Sequence, residues 1–377
     1  IEDHGVPGYT LMMRAGEAAF DAALVRFRSA AHWQIVCGAG NNGGDGYVLA
    51  RLAGERGIAV SVVSLVDPAR LAGDAARACD DYVAAGGEVE PWAGDLDAGA
   101  GLLVDAILGS GLEREVGGEF ADAVEAINAH EASVLALDIP TGIHGDSGAV
   151  LGCAVRADLT ITFVGLKTGL FLGEAPDYCG ELCFAGLDIP ASFVASIAPA
   201  LRRVDDAMLA QALPRRQRTG HKGDYGHVLI IGGGEGMPGA VRLAGEAALR
   251  TGSGLVSIAT HPAHAAMLVA SRPELMPHGV ATPAQLEPLL ERADVVAFGP
   301  GLGRSDWAEA LFDCVATLSL PAVWDADALN LLADRPAAMR QRVISPHPGE
   351  AARLLGTTAA AVQADRPGAL NDLAQAY

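Results

Sequence analysis

Short apolar runs alternating with helix-compatible segments constrain this chain more than any other feature, and the sharpest case spans residues 34–66. An apolar run at 34–37 meets the glycine-rich stretch GAGNNGGDG, a helical segment at 47–56 follows, and a second apolar run occupies 59–66. Strand, glycine turn, helix and strand make a βαβ unit. Further runs at 102–108, 134–139 and 159–164 are each stopped by a glycine or a proline. Strands that alternate with helices predict a parallel sheet covered on both faces. The palette agrees: half the residues are hydrophobic but only 5% are aromatic, so the cores rest on Ala, Val, Leu and Ile.

The alternation breaks between about residues 190 and 226, at Pro190, Pro199 and Pro214 and at the basic run PRRQR with Arg215, Arg216 and Arg218. It resumes with strands predicted at 227–231, 255–260, 294–298, 322–324 and 342–344, and helices at about 239–251 and 305–317. The 377 residues thus read as two α/β domains, 1–204 and 205–377. A formal charge of -20 argues against nucleic acid and anionic membranes as partners. No apolar stretch reaches the roughly 18 residues of a spanning helix. Ile1, Glu2 and Asp3 lack the basic start of a signal peptide, so a cytoplasmic protein is expected. With no initiator Met at its start, a trimmed, processed or fragmentary chain is expected. Cys37, Cys79, Cys153, Cys179, Cys183 and Cys314 form no CxxC pair and read as free thiols. Only Lys167 and Lys222 are lysines among 26 basic residues, which singles them out for work that a guanidinium does poorly.

Residues 38–43 (GAGNNG) satisfy the GxGxxG pattern in the strand-to-helix setting of a dinucleotide fingerprint. The acidic residue expected about 20 positions on is missing, because Asp67 comes too late. Asn41, Asn42 and Asp45 also load the loop with side-chain oxygens, which suit a polar ligand and a hard cation better than a pyrophosphate. Two further loops follow predicted strand ends, where open parallel sheets place their ligands: VDAILGSGLERE, with Asp105, and LDIPTG, with Asp138 and Thr141. Three aspartates beside glycine turns point to one convergent site.

In the second half, GHKGDYGHVLIIGGGEGMPGA lacks the Lys-Ser or Lys-Thr pair of a P-loop, although its glycine amides can approach a phosphate. FGPGLGR and WDADALN supply further strand-end loops, with Asp325 and Asp327 as candidate metal or base groups. SPHPGEAARLLG sets His347 between two prolines, a rigid position for ligand contact.

Taken together, the motifs resemble those of the bifunctional NAD(P)H-hydrate repair enzymes, an epimerase domain followed by an ADP-dependent dehydratase domain. The resemblance rests on LMMRAGEAAF, CGAGNNGGDGYVLAR, VDAILGSGL, LDIPTG and TFVGLKTGL in the first half, and on HKGDYG, MPGA, EAALRTGSGLV, GPGLG, WDADALN and HPGEAARLLG in the second. It implies a Rossmann-like three-layer epimerase fold and then a ribokinase-like α/β fold. It further implies that the hydrate is held by Asn41, Asn42, Gly43, Gly44, Asp45, the loop Gly109, Ser110, Gly111, Leu112, Glu113, Arg114 and Glu115, and Asp138. Potassium would be held by Asn42, Asp105 and Thr141. In the dehydratase domain Ala240, Gly301 and His347 would line the hydrate site, with ADP and Mg2+ taking part. Lys167 follows the 159–164 strand, which places it at the sheet edge of Asp138, and the two are the expected acid and base. A homo-oligomer acting on free NAD(P)H hydrate and ADP is expected.

The sequence departs from the family after Tyr377, where a KGAGT-like segment and a GGMGD-like loop would follow. On that ground the ribokinase-like domain is expected to be incomplete, and the chain to epimerise without dehydrating. The alternative reading is a ribokinase-like small-molecule kinase fused to a nucleotide-binding regulatory domain.

Overall fold

The computed structural model describes residues 6–199, 201–337, 339 and 341–377, so the reading of Ile1, Glu2 and Asp3 lies outside the described residues. The chain divides into two units, Ile1–Arg203 and Val204–Tyr377.

The first unit is built on seven strands: β1 (His32–Cys37), β2 (Ala59–Ser64), β3 (Val89–Pro91), β4 (Leu102–Ala106), β5 (Ser133–Leu137), β6 (Leu159–Phe163) and β7 (Glu181–Ala185). They lie in the order β3-β2-β1-β4-β5-β6-β7, every pair parallel. Alternate side chains of the central strands enter different cores. Trp33, Ile35 and Cys37 pack with Leu102, Val104 and Ala106 on one face, while Val36 and Leu103 pack on the other. Helices α1 (Gly8–Arg26) and α2 (Asn41–Glu55) cover the first face, α1 through Met12, Ala15, Ala19, Phe20 and Ala23 at helical spacing. Helix α4 (Glu119–Ala129), after α3 (Gly73–Ala84), covers the second through Ala123, Val124 and Ile127. The chain's winding reverses between β1 and β4, and open parallel sheets bind ligands at such a switch point.

One local expectation fails. Helix α2 begins at Asn41, so NNGGDG is helix rather than turn. The glycines are there for close packing: a Cβ at Gly43 would sit 2.2 Å from the Gly38 carbonyl oxygen, and one at Gly46 2.6 Å from the Ala106 Cβ.

The second unit carries β8 (His227–Ile231), β9 (Leu255–Thr260), β10 (Met276–Gly279), β11 (Val295–Phe298), β12 (Ala322–Trp324) and β13 (Arg342–Ile344). Their order is β10-β9-β8-β11-β12-β13, again all parallel. Phe298, Phe312 and Trp324 meet edge-on or tilted in its main core. All six cysteines are free thiols.

Candidate active site

The C-terminal edge of the first sheet gathers its charged groups beneath one cavity. Asp105, in β4, is fully buried. Its carboxylate accepts from the backbone N–H of Ile107 (3.2 Å), the backbone N–H of Thr141 (2.8 Å) and the Thr141 hydroxyl (2.7 Å). Burial pushes its pKa up to about 6, against the opposing pull of those bonds. Thr141, also fully buried, accepts from the Leu108 N–H at 2.9 Å.

Asp138 follows β5 in a left-handed conformation, φ 66°. A non-glycine residue held there is strained, and such strain concentrates at functional sites. Lys167 Nζ pairs with Asp138 Oδ1 and donates to Thr162 Oγ1 (3.0 Å) and to the Phe163 carbonyl (2.9 Å), so all three of its protons have acceptors. On the other side of Asp138, the Ser110 N–H approaches Oδ2 at 3.4 Å. Asp45, buried in α2, has its carboxyl raised well above the usual range, first by desolvation and then by the charge of Asp138, with Lys167 opposing. Asn42 is buried with neither amide oxygen nor amide nitrogen hydrogen-bonded. A buried orphan amide costs free energy unless a ligand satisfies it.

These groups face a cavity of about 930 Å³. Asn41, Asn42, Asp45, Asp138, Lys167 and residues 109–114 line it. Asp105 and Thr141 are not among its lining residues. Gly43 and Gly44 do not line it either: they pack against Gly38 and Met12. Glu115 is exposed outside the lining. The rest of the wall was not anticipated. Leu11, Met12 and Ala15 of α1 contribute, with Asp74, Phe163, Val164 and Leu187. Val164 (φ 65°) and Leu187 (φ 52°) share the left-handed geometry of Asp138, and Arg14 donates to the Leu187 carbonyl at 2.8 Å. Leu11, Met12 and Ala15 all belong to LMMRAGEAAF, so that motif carries the sequence signal for this part of the wall.

In the second unit, Gly301 has φ +56°, and a Cβ there would lie 3.0 Å from both the Ala240 Cβ and the Met237 carbonyl oxygen. Ala240 and Gly301 are therefore neighbours. His347 is exposed and caps the helix Pro348–Leu355: its Nδ1 accepts from the N–H groups of Gly349 (3.0 Å) and Glu350 (3.4 Å). One expectation is corrected. The Gly233 and Gly234 amides are already bonded to the carbonyls of Pro300 (3.0 Å) and Gly301 (2.7 Å), so they do not present a phosphate cradle. Asp327 accepts from the Gly303 N–H (2.9 Å) and from Asn330 (3.2 Å).

The folds define the class: a Rossmann-like three-layer α/β unit with an acidic, lysine-containing cavity, followed in the same chain by a ribokinase-like α/β unit. Residues 8–169 match the family described as YjeF-related protein N-terminus, and residues 228–377 match the family described as NAD(P)H-hydrate dehydratase. The chain is 48% identical to the bifunctional NAD(P)H-hydrate repair enzyme of Coxiella burnetii, over all of this chain and 77% of that protein. It is 44% identical to the Escherichia coli enzyme, over 99% of this chain and 72% of that one. The Vibrio cholerae enzyme is 39% identical, over 100% and 76%. The chain belongs to the bifunctional NAD(P)H-hydrate repair enzymes, which join an epimerase to a dehydratase. The kinase alternative falls with that membership, and nothing in these likenesses supports the expectation that dehydration is lost in this chain. No helix among the described residues is long and apolar enough to cross a membrane.

Proposed function

We propose that epimerisation takes place in the cavity of the first domain, residues 1–204, with Asp138 and Lys167 as the acid and base. The hydrated ring carbon carries both a hydroxyl and the ring nitrogen. A base that removes the hydroxyl proton lets the carbon–nitrogen bond open to a carbonyl, with the electron pair going to the nitrogen, which takes a proton from an acid. Closure on the other face returns both protons and inverts the centre. Asp138 is the base and Lys167 the acid, and the observation that carries this reading is their direct pairing on the wall of the cavity. Asn41, Asn42, Asp45 and residues 109–114 hold the hydrate. The test is epimerisation of purified hydrate with no nucleotide added, compared between the native chain and Asp138→Asn.

Asn42, Asp105 and Thr141 fit a potassium ion. The Asn42 amide has no partner, and the Asp105 carboxylate accepts three bonds where it has room for about four. Potassium held by these residues would supply a fixed positive charge next to the cavity.

Dehydration is assigned to residues 205–377, with Ala240, Gly301 and His347 on the hydrate side. ADP and Mg2+ are the expected co-substrate and cation of this domain, where the Gly233 and Gly234 amides are bonded within the unit and Asp327 accepts from the Gly303 N–H and Asn330. A cytoplasmic homo-oligomer acting on small molecules is the proposed setting, with Val194 and Ile197 exposed near the end of the first unit as the apolar surface for it.

A further inference from the structure

Neither site uses the basic run ahead of β8. Arg215, Arg216, Arg218 and Lys222 fall within eight residues that contain no Asp or Glu, in a chain whose formal charge is -20. The run borders a groove of about 660 Å³ whose lining includes Arg215, Arg216, Gln217, Asp224, Tyr225 and Thr251, with Arg218 and Lys222 flanking it in sequence. Arg216 is pinned: its guanidinium lies over the Tyr225 ring, 4.0 Å from the centroid, and donates to the Gly252 carbonyl beyond the end of the helix Pro238–Thr251. The Tyr225 hydroxyl donates to the Gln217 carbonyl at 3.4 Å, which closes the turn over the ring. Asp224 is turned back on that turn, accepting from the His221 N–H at 2.9 Å and lying 3.4 Å from the His221 ring. Its carboxylate stands on the groove wall, one negative charge against the two arginines of the lining. Arg215, Arg218 and Lys222 are exposed and form no ion pair among the described residues.

The groove sits where β8 and β9 begin, whereas Ala240, Gly301 and His347 follow the strands' C-terminal ends, the opposite edge of the same sheet. It belongs to a different place from the hydrate site. Arg215 and Arg216 meet on the groove wall with Arg218 and Lys222 close in sequence, and a compact polyanion offsets the repulsion within such a run. Guanidinium forks match phosphate oxygens in geometry, and the fixed Arg216–Tyr225 stack adds a flat wall.

We infer that this groove binds a small anion carrying a pyrophosphate group, separately from the dehydratase hydrate site. The shared chemistry belongs both to free pyrophosphate and to a nucleoside diphosphate, and titration distinguishes them. Isothermal titration of the whole chain at low salt with inorganic pyrophosphate, ADP and sulfate at matched ionic strength is the experiment. Pyrophosphate should bind saturably, one per chain, and roughly tenfold or more weakly to the double variant Arg215→Glu, Arg218→Glu, whose thermal midpoint should not move because both side chains are exposed. Tighter loss-sensitive binding of ADP than of pyrophosphate identifies the nucleotide as the occupant, and equal binding identifies free pyrophosphate. Sulfate binding as well as pyrophosphate, or pyrophosphate affinity unchanged in the double variant, overturns the inference.

Discussion

The two sheets end differently at the edge where their candidate residues gather. In the first unit Asp105 and Thr141 are fully buried, Asp45 and Asn42 are buried, and Asp138 and Lys167 pair beside them. In the second, His347 is exposed and its ring nitrogen is occupied by a helix terminus, while Ala240 and Gly301 offer only a small-residue surface. The first edge has placed charges out of water before any ligand arrives, which is what chemistry on a proton requires. The second holds the carboxylates of Asp327 and Glu350 by backbone N–H groups but, among the described residues, pairs neither with a lysine or arginine. Preorganised electrostatics therefore separates the two halves more sharply than topology, which is parallel and doubly wound in both.

The largest effect that would sharpen this contrast is at Asp138. Replacing it by Asn keeps the shape but removes the base, and epimerisation should fall by roughly two to four orders of magnitude. Conversion of one purified hydrate epimer into the other, followed chromatographically, measures it. An Asp138→Asn enzyme within a few-fold of the native rate would leave the first edge no more chemical than the second.

Asp105→Ala comes next. It strips the partner from two backbone N–H groups and a hydroxyl that are sealed from water, at a cost of about 1–3 kcal/mol for each buried group left unsatisfied. Loss of epimerase activity should accompany a lower denaturation midpoint. The cation assignment is tested in the native chain: activity should be high in potassium and low in sodium-only buffer, and equal rates in the two would remove potassium from the site.

Lys167→Arg keeps the charge and changes the geometry. A compact ammonium satisfies Asp138, Thr162 and the Phe163 carbonyl together, and a planar guanidinium does not point its donors in those three directions. About a tenfold loss in kcat is expected, with KM little changed. An unchanged rate would make Lys167 a structural clamp on Asp138.

Much of the fold was legible. β8, β9, β12 and β13 run over the residues that their apolar runs marked, because buried parallel strands are continuous in apolar character. β3, β7 and β10 were not legible: they lie at sheet edges, are half-exposed and carry Glu90, Pro91, Glu181 or Pro277, so no apolar run announces them. The start of α2 was missed because glycines that permit close packing look, in sequence, like glycines that permit a turn. The expected neighbourhood of Asp138 and Lys167 followed from both lying just past the ends of adjacent strands. The apolar wall from α1 and Leu187 did not, since the Arg14 bond to Leu187 joins residues 173 positions apart and leaves no local trace.

The smallest effect tests the second edge. His347 caps the helix Pro348–Leu355, with Glu350 reaching back to the His347 N–H at 2.9 Å. His347→Ala removes the acceptor and should lower stability by about 1 kcal/mol, read from the denaturation midpoint. Asn is a good N-cap and should restore that stability. The two variants separate capping from ligand contact. If His347 only caps, His347→Asn dehydrates the hydrate with native KM. If it also touches the hydrate, His347→Asn recovers stability while KM for the hydrate stays raised by roughly tenfold, the size of one lost hydrogen bond of about 1.4 kcal/mol. The second outcome is expected, because Pro346 and Pro348 hold the exposed ring at the edge that Ala240 and Gly301 share. A native KM in His347→Asn would reduce the second edge to a surface without any side chain committed to substrate.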